Sequence, residues 1–152
     1  MPRVTYNFPG TTCISISPVI AHGIPGAVIL KANDLIHIDV SAELDGYFAD
    51  TGAPLAVAGK SAFNVIYDLT GHGIGRKLHD KPEAILNYDD PRDRWIMNEG
   101  LLLAIEPFLT TGIGRIEQES DGWMLCTTDR KTAAQFEHTV IVTKNEPIIL
   151  TL

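Results

Sequence analysis

Apolar and polar residues alternate along Leu35-Ile-His-Ile-Asp-Val40, the period-two pattern of a strand with one buried face. Asp45-Gly46 follows a few residues later. That pair suits a two-residue hairpin turn, in which both central residues take positive φ. Residues 47–57 are then expected to return as the partner strand. Short apolar and β-branched runs predict further strands at 64–69, 101–109, 123–127, 134–143 and 147–152. Helix signals are scarce. Residues 61–67 fit a short helix, but Val65 and Ile66 favour a strand there. The stretch 82–98 contains Pro82, Pro91 and the run Tyr88-Asp-Asp-Pro-Arg-Asp-Arg94, so it is expected to be mainly loop with one helical turn at most. No repeat, low-complexity stretch or linker divides the chain, which predicts one domain over residues 1–152. A sheet with so little helix still has to cover its second face.

Composition narrows the function. The 152 residues are 45% hydrophobic and 20% charged, as in globular chains. A formal net charge of −7 argues against a nucleic-acid partner, because phosphate neutralisation needs clustered Lys and Arg. The apolar run Gly100-Leu-Leu-Leu-Ala-Ile105 is far too short to span a membrane, so no membrane partner is expected. No charged-then-apolar leader opens the sequence, and the expected location is cytoplasmic. Cys13 and Cys126 form no CxxC pair. One disulfide stays open as an alternative, and a reducing compartment is the default.

The chemistry lies in the acids. With Asp45-Gly46 as a two-residue turn, Leu44 faces Tyr47, Ser41 faces Asp50 and Asp39 faces Gly52. Asp39 and Asp50 then share a face as diagonal neighbours, roughly 7–8 Å apart. Two carboxylates there repel unless they share a cation. For the hairpin taken alone, one Asp in solvent and one capping a turn is the commoner arrangement. Three further residues change that balance. His72 sits between glycines in Gly71-His-Gly-Ile-Gly75, which lets backbone pack close around it. Glu106 ends an apolar run, and Glu137 lies within another. Two Asp, two Glu and one His make an oxygen-rich set suited to a pair of divalent ions such as manganese, iron, cobalt or zinc. The glycine run lacks the spacing of a dinucleotide fingerprint, and neither a Walker lysine nor His-Glu-x-x-His occurs. By themselves, His79 beside Asp80 reads as a surface pair, and Cys13 as a small buried residue.

These residues stand in segments that resemble type I methionine aminopeptidases. The matching segments are Phe8-Pro-Gly with Cys13-Ile-Ser, His22-Gly-Ile-Pro-Gly26, Ile38-Asp-Val with Asp45-Gly-Tyr-Phe-Ala-Asp50-Thr, Gly71-His-Gly-Ile-Gly-Arg with His79, Ile105-Glu-Pro107, Asp121-Gly-Trp123 and Gln135-Phe-Glu-His-Thr139. They run in the family's order over most of the chain. Aminopeptidase P and prolidase share the fold and the five-ligand logic, but the Phe8–Cys13 and Gln135–Thr139 wording favours the methionine enzyme. The resemblance implies an α+β pita-bread fold of two pseudo-symmetric halves, mainly antiparallel sheet and here unusually poor in helix. It implies two divalent ions on Asp39, Asp50, His72, Glu106 and Glu137, with Asp50 and Glu137 bridging. Phe8, Cys13, Leu78 and Trp123 would line a methionine pocket, and His22 and His79 would also contact substrate. The implied reaction removes the N-terminal methionine of peptides and nascent proteins through attack by a metal-bridging hydroxide. Glu106 would shuttle the proton, His79 would stabilise the gem-diolate, and His22 would bind or protonate the scissile amide.

The sequence departs from that family in one respect. Only Ala58-Gly-Lys-Ser-Ala62 joins the hairpin to the next strand where the family carries a long two-helix segment. The family's helical region before Phe8 is also missing. A non-catalytic metal- or peptide-binding remnant, or a truncated fragment, is therefore the alternative reading. Val4, Val28, Leu30, Ile36, Ile38, Val40, Val65 and Ile66 are expected to want cover, which predicts self-association through an open sheet face.

Overall fold

The structure is a computed structural model that describes residues 2–31, 34–56 and 63–152. One short helix, α1 (Pro2–Tyr6), opens the described chain. Strands follow in the order β1 (Cys13–Ile16), β2 (Val19–Ala21), β3 (Leu35–Leu44), β4 (Tyr47–Ala56), β5 (Asn64–Val65), β6 (Gly71–Gly73) and β7 (Asp80–Ile85). The second part of the chain gives β8 (Leu102–Ile105), β9 (Phe108–Thr110), β10 (Ile116–Gln118), β11 (Leu125–Thr127), β12 (Ala133–Gln135), β13 (His138–Ile141) and β14 (Ile148–Ile149). They form sheets ordered β1-β3-β4, β10-β11-β2, β12-β9-β5 and β14-β13-β8-β6-β7, with every pairing antiparallel.

The β3–β4 hairpin forms in the expected register. Asp45 and Gly46 take φ of 53° and 80°, and Leu44 pairs Tyr47, Ser41 pairs Asp50 and Asp39 pairs Gly52. The end of the expected return strand, Val57, and the connection 58–62 lie outside the described residues, as does the start of the 61–67 segment.

Other boundaries differ from the sequence expectation, and the reasons are local. The run 64–69 is strand only at Asn64–Val65. Ile66 turns inward, fully buried, and a turn at Tyr67 and Asp68 follows. Asp68 accepts from Arg115 at 2.6 Å and from the Ile116 N–H at 3.1 Å. The run 101–109 splits into β8 and β9 around Glu106 and Pro107, because proline offers no N–H to a ladder. The run 134–143 splits into β12 and β13 at Phe136 and Glu137. Strand β11 starts late because Asp121 accepts from the N–H groups of Trp123 and Met124 in a turn. The stretch 82–98 is mainly loop as expected, and its first residues belong to β7, which pairs with β6.

A core of Ile20, Ala21, Ile66, Phe108 and Ala133 packs where the sheets meet, with Leu69, Ile116 and Leu125 against it. Of the residues expected to want cover, Ile66 is buried, Ile36, Ile38 and Val65 are half-buried, and Val4, Val28, Leu30 and Val40 are exposed.

Candidate active site and metal centre

The hairpin supplies the first two acids. Asp39 and Asp50 lie diagonally across the β3–β4 ladder and hydrogen-bond to one another, and Ser41 adds a bond to Asp50. Thr139 on β13 holds the Asp50 backbone from both sides. Its Oγ1 accepts from the Asp50 N–H at 2.9 Å and donates to the Asp50 carbonyl at 2.8 Å. Glu137 is brought in by a single backbone bridge to Gly52. The Glu137 N–H reaches the Gly52 carbonyl at 2.8 Å, and the Gly52 N–H returns the bond at 3.3 Å.

His72 sits at the centre of β6, which is squeezed between β7 and β8. A Cβ on Gly71 would lie 2.5 Å from the Ala104 carbonyl oxygen, and one on Gly73 would lie 2.1 Å from that of Lys81. Glycine on both sides is what lets the imidazole sit this deep. His72 Nδ1 lies 2.8 Å from the Gly73 carbonyl, so it carries the proton and leaves the Nε2 lone pair free. That Nε2 is 3.4 Å from Glu106 Oε1. Ligand atoms of Asp50, His72 and Glu137 all lie within 4.8 Å of one another. Gln135, also buried, donates from its Nε2 to Glu106 Oε2 and to Glu137 Oε2, each at 2.9 Å.

Charge is crowded here. Burial pushes the Asp39 carboxyl up to about 8, helped by the neighbouring Asp50 charge. Burial and the charges of Asp50, Glu106 and Asp39 push Glu137 up to about 11. Glu106 is raised well above its ordinary value by burial, Asp50 and Asp39. Asp50 is also raised by burial, against the bonds from Ser41 and Asp39 that lower it. Four carboxyls and one imidazole with a free lone pair in a buried space fit divalent cations, which would replace the protons this crowding otherwise demands.

All the sequence-predicted site residues line one cavity of about 360 Å³ above these acids. Phe8 and Leu78 are buried in its wall, and Phe8 meets Trp123 edge to face at 5.3 Å. Cys13 is buried, and burial together with Asp39 and Asp50 pushes its thiol up to about 12. It is therefore an apolar wall atom and no nucleophile. His79 stacks on His72 with ring centroids 4.1 Å apart. Burial, then His72 and His22, lower its imidazole to about 4. His22, at a φ of 55°, is lowered by burial against the opposing effects of the Trp123 backbone and Asp50. Three members escaped the sequence reading. Ser41 was readable from the register, since it faces Asp50. Gln135 stood inside a matched segment but carries no charge to single it out. Tyr6 lines the cavity and meets His79 across 73 residues of sequence, which no periodicity signals.

Comparison with known proteins agrees with this geometry. The profile of metallopeptidase family M24 matches residues 3–68 and 53–144. The two matches overlap over residues 53–68. Methionine aminopeptidase 2 of Bacillus subtilis (strain 168) is 41% identical over 192 aligned positions, which take in 99% of this chain and 77% of the relative. The chain belongs to the methionine aminopeptidases. The alignment is longer than the chain itself, so this relative carries residues that the chain lacks. The crystal structure of methionine aminopeptidase from Rickettsia prowazekii superposes with a TM-score of 0.88 at 32% identity, over 98% of this chain and 77% of that one. Prolidase from Pyrococcus furiosus superposes with a TM-score of 0.62 at 19% identity, over 95% of this chain and 49% of that one, and shares the fold alone. The fold is thus the pita-bread fold, here almost without helix. Membership of a metallopeptidase family and the grouping of Asp50, His72 and Glu137 point to use of a divalent metal.

Proposed function

We propose that the chain removes N-terminal methionine from peptides and nascent chains in a metal-dependent hydrolysis. The observation that carries this reading is the convergence of Asp50, His72 and Glu137 within 4.8 Å on the floor of a cavity walled by Phe8, Cys13, Leu78 and Trp123. Asp39, Asp50, His72, Glu106 and Glu137 would hold two divalent ions, drawn from manganese, iron, cobalt or zinc. Bound there, such ions activate water and polarise the peptide carbonyl.

The chain's own residues do the rest. The apolar wall takes a long unbranched thioether, with aromatic and sulfur contacts from Phe8, Trp123 and Cys13. Glu106, held by Gln135, takes a proton from water and returns it to the leaving nitrogen. His79, neutral, donates to the carbonyl oxygen as charge builds there, and His22 at the rim binds or protonates the scissile amide. This apolar wall suits methionine, and a small second residue is expected beside it. A peptide panel tests this. Methionine should be released from Met-Ala-Ser, while peptides that begin with Lys or Glu should stay intact. Efficient release of Lys or Glu would refute the pocket assignment.

The same reading includes one catalytic domain over residues 1–152 built of two pseudo-symmetric halves, and a cytoplasmic site of action. The absence, among the described residues, of a helix long and apolar enough to cross a membrane is compatible with that location. Self-association through exposed apolar surface belongs to it too.

A further inference from the structure

Tyr6 stands at the end of α1 with its hydroxyl oxygen 2.6 Å from His79 Nδ1. The two rings lie 5.6 Å apart at 60°. On the other side, His79 stacks against His72. Among the described residues, this is the one hydrogen bond to the His79 ring, and both partners line the cavity above the acids.

A neutral imidazole carries one proton, so one ring nitrogen donates and the other accepts. The phenol O–H has no other acceptor among the described residues and is the better donor of the two groups. A bond from Tyr6 O–H to Nδ1 places the imidazole proton on Nε2. A histidine that is to stabilise developing oxyanion charge needs an N–H directed at the substrate. With the other tautomer, the ring would present a lone pair to that oxygen.

We propose that Tyr6 is a positioning residue that fixes His79 as the Nε2–H tautomer and holds its ring over the metal-site acids. This rests on the aminopeptidase reading and deepens it. Tyr6 acts through His79 and touches no reacting atom.

The test uses the full chain loaded with zinc and labelled with ¹⁵N-histidine. The His79 resonances are identified by their loss in His79→Gln. In the parent, NMR should show His79 as the Nε2–H tautomer with Nδ1 unprotonated. In Tyr6→Phe, which keeps the ring and removes the hydroxyl, His79 should become a mixture of tautomers. Turnover of Met-Ala-Ser should fall about 5–10-fold, the effect of losing one ordinary hydrogen bond, with KM within about twofold and zinc content unchanged. A parent His79 protonated on Nδ1, or a tautomer unaltered by Tyr6→Phe, overturns the proposal whatever the activity. A loss confined to KM also overturns it, because that would make Tyr6 a substrate contact. A parent with the expected tautomer but no methionine release would instead overturn the aminopeptidase reading, and the positioning role with it.

Discussion

Gly52 and Glu137 pair backbone to backbone, and this bridge, with the bonds of Thr51 to the Glu137 carbonyl and of Thr139 to Asp50, fastens the hairpin of Asp39 and Asp50 to the segment that brings Glu137. The space a Gly52 side chain would take is already filled. A Cβ there would lie 2.9 Å from His37 Nε2 and 3.3 Å from Glu137 Oε2. His37 is itself buried, with neither ring nitrogen hydrogen-bonded among the described residues. Gly52→Ala is therefore expected to cost about 1–3 kcal/mol, the usual toll of overpacking, and to lower metal content by displacing Glu137. Denaturant melts with metal analysis check this. An unchanged midpoint with full metal content would mean that the site tolerates the extra methyl.

Asp50 lies at the centre of the carboxyl cluster, bonded to Asp39 and Ser41 and within 4.8 Å of His72 and Glu137. Asp50→Ala should abolish most divalent-ion binding. Retention of the parent stoichiometry, measured by elemental analysis after gel filtration, would remove Asp50 from the ligand set.

Glu106→Gln keeps the size of the side chain and removes its ability to take a proton. Turnover should fall about 10²–10⁴-fold, with much less change in peptide affinity. Near-parental turnover would take Glu106 out of the proton-transfer role.

The raised carboxyls make stability without metal depend on pH in a defined direction. Asp39, pushed up to about 8, and Glu137, pushed up to about 11, keep their protons when folded and lose them near 4 when unfolded. The folded chain then binds more protons than the unfolded one above pH 4, so stability falls as pH rises. The contribution of Asp39 is complete below about pH 4 and lost by about pH 8. Melting temperature of the chelator-treated protein should therefore fall between pH 5 and 8. Added zinc or manganese should restore it, most strongly at the alkaline end. A metal-free melting temperature that rises across this range would contradict the assigned burial of these acids.

The site was more legible in the sequence than the fold. The four acids could be read because charge in apolar surroundings is costly and therefore conspicuous, and His72 because glycines flank it. The hairpin register followed from one turn dipeptide, which put Asp39 opposite Gly52 as the structure does. Strand ends were harder. They are set by tertiary partners such as Arg115, which takes Asp68 out of a predicted strand. Strands β1, β2, β6 and β10 are three or four residues long, too short for a period to emerge. Tyr6 and Gln135 reach distant partners, His79 and Glu106, through hydrogen bonds, and neither carries a charge that singles it out.

Exposed apolar side chains predict association. Val28, Ile29 and Leu30 are 63%, 87% and 52% exposed in succession. A separate groove is lined by Met97, Ile105, Phe136, Val140 and Ile149. Each Leu- or Ile-sized side chain left in water forgoes roughly 1.5–3 kcal/mol. Light scattering over a concentration series should show mass rising with concentration. A monomer with a high, concentration-independent melting temperature would refute this.

The central claim is that the cavity floor binds divalent ions and that these drive methionine release. Metal-free protein titrated with manganese or cobalt, with bound ion and methionine release from Met-Ala-Ser read on the same samples, tests it most directly. Release should be absent without metal and should rise with occupancy up to two ions per chain. Full occupancy without release would leave a non-catalytic binding module, and release that is unaffected by chelation would contradict the metal-centred account altogether.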